Sequence, residues 1–242
     1  MMYWVFKAVL KPLLLFLYGI KVEGLENVPR KGAAVIAANH LSFLDSFFIP
    51  LVVRRRKVTY LAKADYFKSW KISWFFKMAG QIPVEREGGA KSELALNAGL
   101  DVLKTGNLLG IYPEGTRSPD GRLYRGRTGV ARLALQAGVN VIPTGLIDTD
   151  KVMPKEAKLP RLTGRPRVII RFGKPLDFSR YQGREADRFV LRSMADEIMF
   201  EIMQLSGQTY IDEYASRSST IPLPESGRIV DDIKLSDELI AG

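Results

Sequence analysis

The chain has 242 residues, 46% hydrophobic and 26% charged, with 36 Lys and Arg against 26 Asp and Glu for a formal charge of +10. That balance excludes a disordered or fibrous chain, and a domain of this length buries roughly 70–75% of the surface its unfolded form exposes, so it needs no covalent staple. There is no cysteine and a single histidine, His40, which excludes a thiolate nucleophile, a Cys/His zinc site and a several-histidine metal centre.

Residues 1–192 hold 33 Lys and Arg against 16 Asp and Glu, whereas residues 193–242 hold 3 against 10. A positive excess localised in this way points to a polyanionic partner, whether nucleic acid, an anionic membrane surface or a phosphorylated small molecule. No recognition-helix or RNA-binding aromatic signature accompanies it, so nucleic acid is not the expected partner.

Residues 2–19 are apolar except for Lys7 and Lys11, which share one helical face, and Pro12 interrupts the run. The stretch is too short and too broken for a clean membrane span. A secretory signal is also a poor fit, because the basic residues lie inside the apolar run and no small-residue cleavage pattern follows. With Tyr3, Trp4, Phe6, Phe16 and Tyr18 present, the pattern predicts a helix lying in the headgroup boundary, contacting it through Trp4, Phe6, Lys7 and Lys11. The alternative is a terminal helix packed on the core. A second aromatic-basic segment at 67–78 places Trp70, Trp74, Phe75 and Phe76 among Lys68, Lys71 and Lys77, as further membrane contacts.

Short apolar runs at 33–38, 58–62, 81–84, 108–112, 140–146 and 167–172 predict buried strands. They alternate with predicted helices at about 45–53, 90–104, 128–137 and 184–205, the first entered through Asp45 as N-cap and the third ended by Gly138. Strands alternating with helices give a single α/β domain with a mostly parallel central sheet flanked by helices, preceded by the interfacial helix. The expected divisions are 1–20 for that helix, 21–206 for the α/β domain and 207–242 for an acidic extension, whose last twenty or so residues are expected to wrap the surface or hang loose.

In such sheets ligands bind where strands end at their carboxyl termini. After the first buried strand comes Asn39-His40-Leu41-Ser42-Phe43-Leu44-Asp45. A histidine oriented by a carboxylate is a general base, and a turn would let Asp45 reach the imidazole. The plainer alternative is a structural histidine capping a turn. Ser42 is too close in sequence to serve as an obvious nucleophile, so the base is expected to activate a hydroxyl or water of the substrate. After the 108–112 strand comes Tyr112-Pro113-Glu114-Gly115-Thr116-Arg117-Ser118. Gly115 allows close backbone approach, Thr116 and Ser118 supply donors, and Arg117 presents a fork matched to phosphate; an ordinary polar turn is the competing reading. Glu85-Arg86 ends a third strand with a cation, and Arg122, Arg125 and Arg127 add attraction for a phosphate or a cofactor nucleotide.

Four blocks in order, Asn39–Asp45, Gly80-Gln81-Ile82-Pro83-Val84-Glu85-Arg86, Tyr112–Ser118 and Val141-Ile142-Pro143-Thr144-Gly145-Leu146, resemble those of the 1-acylglycerol-3-phosphate acyltransferases of phospholipid synthesis. With its less specific flanks the resemblance covers about residues 22–178. It implies transfer of a fatty acyl group from acyl-CoA, or acyl carrier protein, to the free hydroxyl of lysophosphatidic acid. His40 would then be the base and Asp45 its orienter, with no acyl-enzyme. Arg86, Glu114, Gly115, Thr116 and Arg117 would hold the acceptor, with Arg122, Arg125 and Arg127 available to the donor's phosphates. Pro143 would be structural or line the acyl site, and backbone N–H groups near Gly115 or His40 are candidates for the oxyanion. The resemblance implies no bound cofactor and no metal; its partners are acyl-CoA, a lysophospholipid acceptor and an anionic membrane surface, with the protein peripheral on the cytoplasmic face. The rival acceptors are glycerol-3-phosphate and other lysolipids or glycolipids. A thioester hydrolase and a non-catalytic binding module are the rival functions.

Overall fold

Alternation of side chains along a strand decides how this molecule layers. In β2 (Ala34–Ala38), Ala34, Ile36 and Ala38 face one core and Val35 and Ala37 face another, so both faces of the strand are covered. In the computed structural model of the chain, residues 2–53, 56–68, 73–74, 76–77, 80–84, 89–157, 159–161 and 167–215 are described, apart from the side chains of residues 2, 5, 6, 63, 66, 89 and 90.

The elements run α1 (Met2–Tyr18), β1 (Lys21–Glu23), β2, α2 (Asp45–Val52), β3 (Val58–Lys63), β4 (Ile82–Val84), α3 (Gly89–Lys104), β5 (Leu108–Ile111), β6 (Leu123–Tyr124), α4 (Gly129–Ala137), β7 (Val141–Ile147), α5 (Thr149–Val152), β8 (Ile169–Phe172), α6 (Arg188–Ser206) and β9 (Tyr210–Ile211). Seven strands form one sheet in the order β1-β8-β7-β2-β5-β3-β4. The five strands from β7 to β4 are mutually parallel; β8 pairs antiparallel to β7, and β1 follows it. The expected α/β architecture is therefore present, with a reversed edge that the apolar runs did not indicate.

On one face α3, α4 and α6 cover Val35, Ala37, Leu109 and Val141; on the other α1 and α2 cover Ala34, Ile36, Leu108 and Ile142. The helix ends follow local chemistry. Asp187 caps α6 by accepting from the Phe189 and Val190 N–H groups, and Gly138 ends α4 at φ 62°. Asp45 differs from expectation. It lies inside the first turn of α2, with Leu44 at the cap position, and turns its carboxylate back onto the preceding loop.

Contacts cross both expected divisions, at 20 and at 206. Tyr18 of α1 is fully buried against α2, so the terminal helix is part of the fold. Beyond Ser206 the chain returns as β9, pairing with β6 through Leu123 opposite Tyr210 and Tyr124 opposite Ile211. Residues 216–242, which include the last twenty or so expected to wrap the surface or hang loose, lie outside the described residues.

Candidate active site

β2 and β5 are hydrogen-bonded neighbours with Ala37 opposite Ile111, so the two motif segments leave the sheet side by side at the carboxyl edge. Asn39 turns the first of them. Its side chain donates to the Leu146 carbonyl at 2.8 Å and accepts the Leu146 N–H at 2.7 Å, replacing the backbone ladder of β2 and β7 as the chain departs. The His40 backbone is then held at both ends, its N–H donating to Glu114 Oε1 at 3.0 Å and its carbonyl accepting the Ser118 N–H at 2.7 Å.

The His40 Nδ1 lies 2.9 Å from Asp45 Oδ2. That oxygen also accepts the Leu41 and Ser42 N–H groups, each at 2.8 Å, so it is an acceptor throughout and the imidazole carries its proton on Nδ1. Nε2 is left as the basic nitrogen. Asp45 is fully buried while the His40 side chain retains 14% exposure, which puts the ring at the boundary between protein and solvent.

Ser42 is excluded as a nucleophile by position as well as by sequence. It is buried, and its Oγ donates to the Met153 carbonyl at 2.9 Å. The first motif thus brings the His40 imidazole and the Asp45 carboxylate together while Ser42 is turned away from them.

Glu114 takes a different place from the expected one. Its second oxygen accepts the Tyr124 N–H at 3.0 Å, both oxygens are therefore bound to backbone, and the residue is 2% exposed. It braces the site and is not available to hold an acceptor. Burial, opposed by those two N–H groups, pushes its carboxyl up to about 8. The backbone donors considered for an oxyanion are also engaged: the His40 N–H on Glu114, and the Gly115 N–H on the Tyr112 carbonyl at 3.0 Å. Gly115 has φ 77°, a conformation that favours glycine, and its bare Cα lets the Arg127 side chain pass close by.

Arg117 precedes Ser118, whose N–H is bound to the His40 carbonyl, and its own guanidinium donates to the Lys155 carbonyl at 3.1 Å; Thr116 is half-buried beside it. Arg122 is tied to Asp120 at 2.6 Å, so its charge is already answered. Arg125 and Arg127 both lie over the Tyr214 ring, and Arg125 also faces Asp212 at 3.5 Å. Arg86 lies outside the described residues. Pro143 sits in β7 opposite Ala37 with its carbonyl accepting the Gly173 N–H, which makes it structural. Among the described residues no group of three or more His, Cys, Asp or Glu side chains could hold a metal ion.

Beside this corner, between α3 and α4, is a cleft of about 420 Å³ that shares Tyr112 and Gly115 with the site. Leu61, Val84, Leu96 and Leu133 give it an apolar lining, and Arg127 and Arg132 bring cations to it. Sequence reasoning missed Arg132, Tyr60 and the cleft, because they converge only through packing.

The aromatic-basic segments are corrected in two residues. Lys7 is turned inward, its ammonium donating to the Val53 carbonyl and lying near the Tyr3 and Trp4 rings, and burial, helped by the neighbouring Lys11, lowers its pKa to about 8. Phe76 is buried among Phe43, Phe47 and Phe67. Trp4 and Trp74 are exposed and Lys11 half-exposed, as a surface role requires, whereas Trp70, Phe75 and the Phe6 side chain lie outside the described set. The exposed face of α1 carries Val9, Leu13 and Phe16, spaced four and three apart. No helix among the described residues is long and apolar enough to cross a membrane.

A family model described as Acyltransferase matches residues 19–147. The chain is 35% identical over 164 residues to the chloroplastic 1-acyl-sn-glycerol-3-phosphate acyltransferase of Arabidopsis thaliana, covering 67% of this chain and 45% of that protein. To the 1-acyl-sn-glycerol-3-phosphate acyltransferase of Bacillus subtilis it is 30% identical over 158 residues, covering 65% of this chain and 78% of that one. The chain thus spans about half the length of the plant relatives it matches. The crystal structure of the 1-acyl-sn-glycerophosphate acyltransferase of Thermotoga maritima shares the fold, with a TM-score of 0.60 at 22% identity over 84% of this chain and 82% of that one.

Proposed function

The chain belongs to the acyltransferase family, and on that premise we propose that it moves a fatty acyl group from a thioester donor to the free hydroxyl of lysophosphatidic acid, giving phosphatidic acid. The observation that carries the reading is the His40–Asp45 pair, with Nδ1 bound to the carboxylate, Ser42 turned away onto the Met153 carbonyl and no cysteine in the sequence. The acceptor hydroxyl gives its proton to Nε2, and its oxygen attacks the thioester carbonyl. Asp45 stabilises the imidazolium that results. As the tetrahedral intermediate collapses, the carbon–sulfur bond breaks and the imidazolium returns its proton to the departing thiolate. Holding both substrates replaces covalent catalysis by proximity.

Arg117, and Arg86 by motif, are assigned the acceptor's phosphate, while the cleft takes an acyl chain on its apolar lining. Arg127 and Arg132 at the cleft suit the donor's phosphates. Val9, Leu13 and Phe16, outward on α1, with Trp4 and Trp74, favour a peripheral protein seated on an anionic membrane at its cytoplasmic face. No cofactor or metal has a role in this scheme.

The test is an assay of the purified chain with acyl-CoA and with acyl carrier protein thioester against glycerol-3-phosphate, both lysophosphatidates and a lysoglycolipid. Phosphatidic acid from one donor, absent with His40→Ala, is the expected result. Free fatty acid without an acylated acceptor would make the chain a hydrolase, and acylation of glycerol-3-phosphate alone would move the acceptor assignment.

A further inference from the structure

The plane of a catalytic imidazole is not fixed by one hydrogen bond to Nδ1, because the ring can still tilt about that axis. In this molecule an aromatic ring closes that freedom. Tyr112 stacks on His40 with centroids 3.8 Å apart and planes 6° from parallel. Its other face stacks on Tyr60 at 5.1 Å and 21°, and its hydroxyl lies 3.0 Å from Ser46 Oγ. Ser46 is itself tied down, its carbonyl accepting from the Gln81 side chain at 3.1 Å. Tyr60 reaches this position because Gly110 lies beneath it: a Cβ there would stand 2.2 Å from the phenol ring. The column Tyr60–Tyr112–His40 is thus built on a glycine in β5 and anchored through α2.

We infer that Tyr112 is a positioning residue for the base, fixing the plane of the His40 ring and favouring its protonated form as the acceptor's proton arrives. The inference rests on His40 being that base. The face of a phenol ring carries negative charge density, so a ring lying flat on it is attracted more strongly as imidazolium than as neutral imidazole. Asp45 acts in the same direction from the edge of the imidazole. The titratable groups against His40 include Asp45 on Nδ1, Glu114 on its backbone N–H and Tyr112 with Tyr60 behind it. Of these, Tyr112 covers the face of the ring.

His40 is the sole histidine, so its imidazole resonances in the full-length protein need no assignment and report its titration apart from any activity. Tyr112→Phe keeps the stack, and its titration midpoint should stay within about 0.2 unit of the parent. Tyr112→Leu removes it: the midpoint should fall by about half a unit or more, and kcat about fivefold with the acceptor KM within about twofold. Pentafluorophenylalanine at position 112 keeps the shape of phenylalanine and reverses the charge of its face, so it should lower the midpoint even if the leucine variant does not fold. A folded leucine variant with an unmoved midpoint and kcat within twofold would overturn the inference, as would a fluorinated variant that titrates like the Phe variant. A parent protein that transfers no acyl group to any lysolipid would instead overturn the functional reading, and leaves the titration result standing.

Discussion

The corner around His40 and the helix at the N-terminus both bury charged side chains, but they differ in what they leave at the surface. At the corner, Asp45 and Glu114 are buried, and their hydrogen bonds run to backbone N–H groups or to the base. In α1 the polar residue Lys7 points into the protein while Val9, Leu13 and Phe16 point out. A soluble surface helix does the reverse. The difference separates two surfaces: the corner holds its groups in a preorganised geometry, and α1 leaves an apolar stripe exposed among the described residues.

The strongest way to break the first half of that comparison is His40→Ala, expected to lower turnover about 10³-fold with the thermal transition kept within a few degrees; Asp45→Asn should follow at about 10²-fold, because an amide nitrogen cannot accept from the Leu41 and Ser42 N–H groups. Turnover close to parental in either would remove the base from the mechanism. The second half is sharpened by Phe16→Asp, which should weaken sedimentation with anionic vesicles at least tenfold while acylation of detergent-dispersed acceptor is retained. Unchanged vesicle binding would mean that the stripe on α1 has no lipid partner.

Arg117→Lys should raise the acceptor KM several-fold with little change in kcat, since a fork becomes a point charge. The smallest effect belongs to Glu114. Its carboxyl is raised by burial, so the native state holds a proton that the unfolded chain has already released; the stabilisation is full below about 4.5 and is lost as pH rises through about 8. Glu114→Gln should lower the melting temperature at neutral pH, by leaving a backbone N–H opposed to an amide nitrogen, yet flatten the fall in melting temperature between pH 6 and 8.5. A variant with the parental slope would show that another group titrates there.

Much of this was legible in the sequence, for stateable reasons. Six apolar runs marked six strands, because strands covered on both faces read as continuous hydrophobic stretches. β1, β6 and β9 are two or three residues long and carry no such run, so they were not visible. The His40–Asp45 pair could be read because five residues and a turn suffice to join them. Glu114 could not be placed correctly: its carboxylate is oriented by the N–H of His40, 74 residues away, and by that of Tyr124. The inward turn of Lys7 depends on the Val53 carbonyl, 46 residues distant, and no helical periodicity reports a partner so remote.

The short pairing of β6 with β9 has a practical corollary. Gln208 spans the Gly121 carbonyl and the Asn39 amide, while Tyr214 lies under Arg125 and Arg127, so the last described stretch of backbone clasps the arginine-bearing hairpin from outside. An expression clone trimmed at Ser206 would retain all four signature blocks and still lose that clasp, so a deletion series meant to isolate the minimal folded unit should keep residues 207–215.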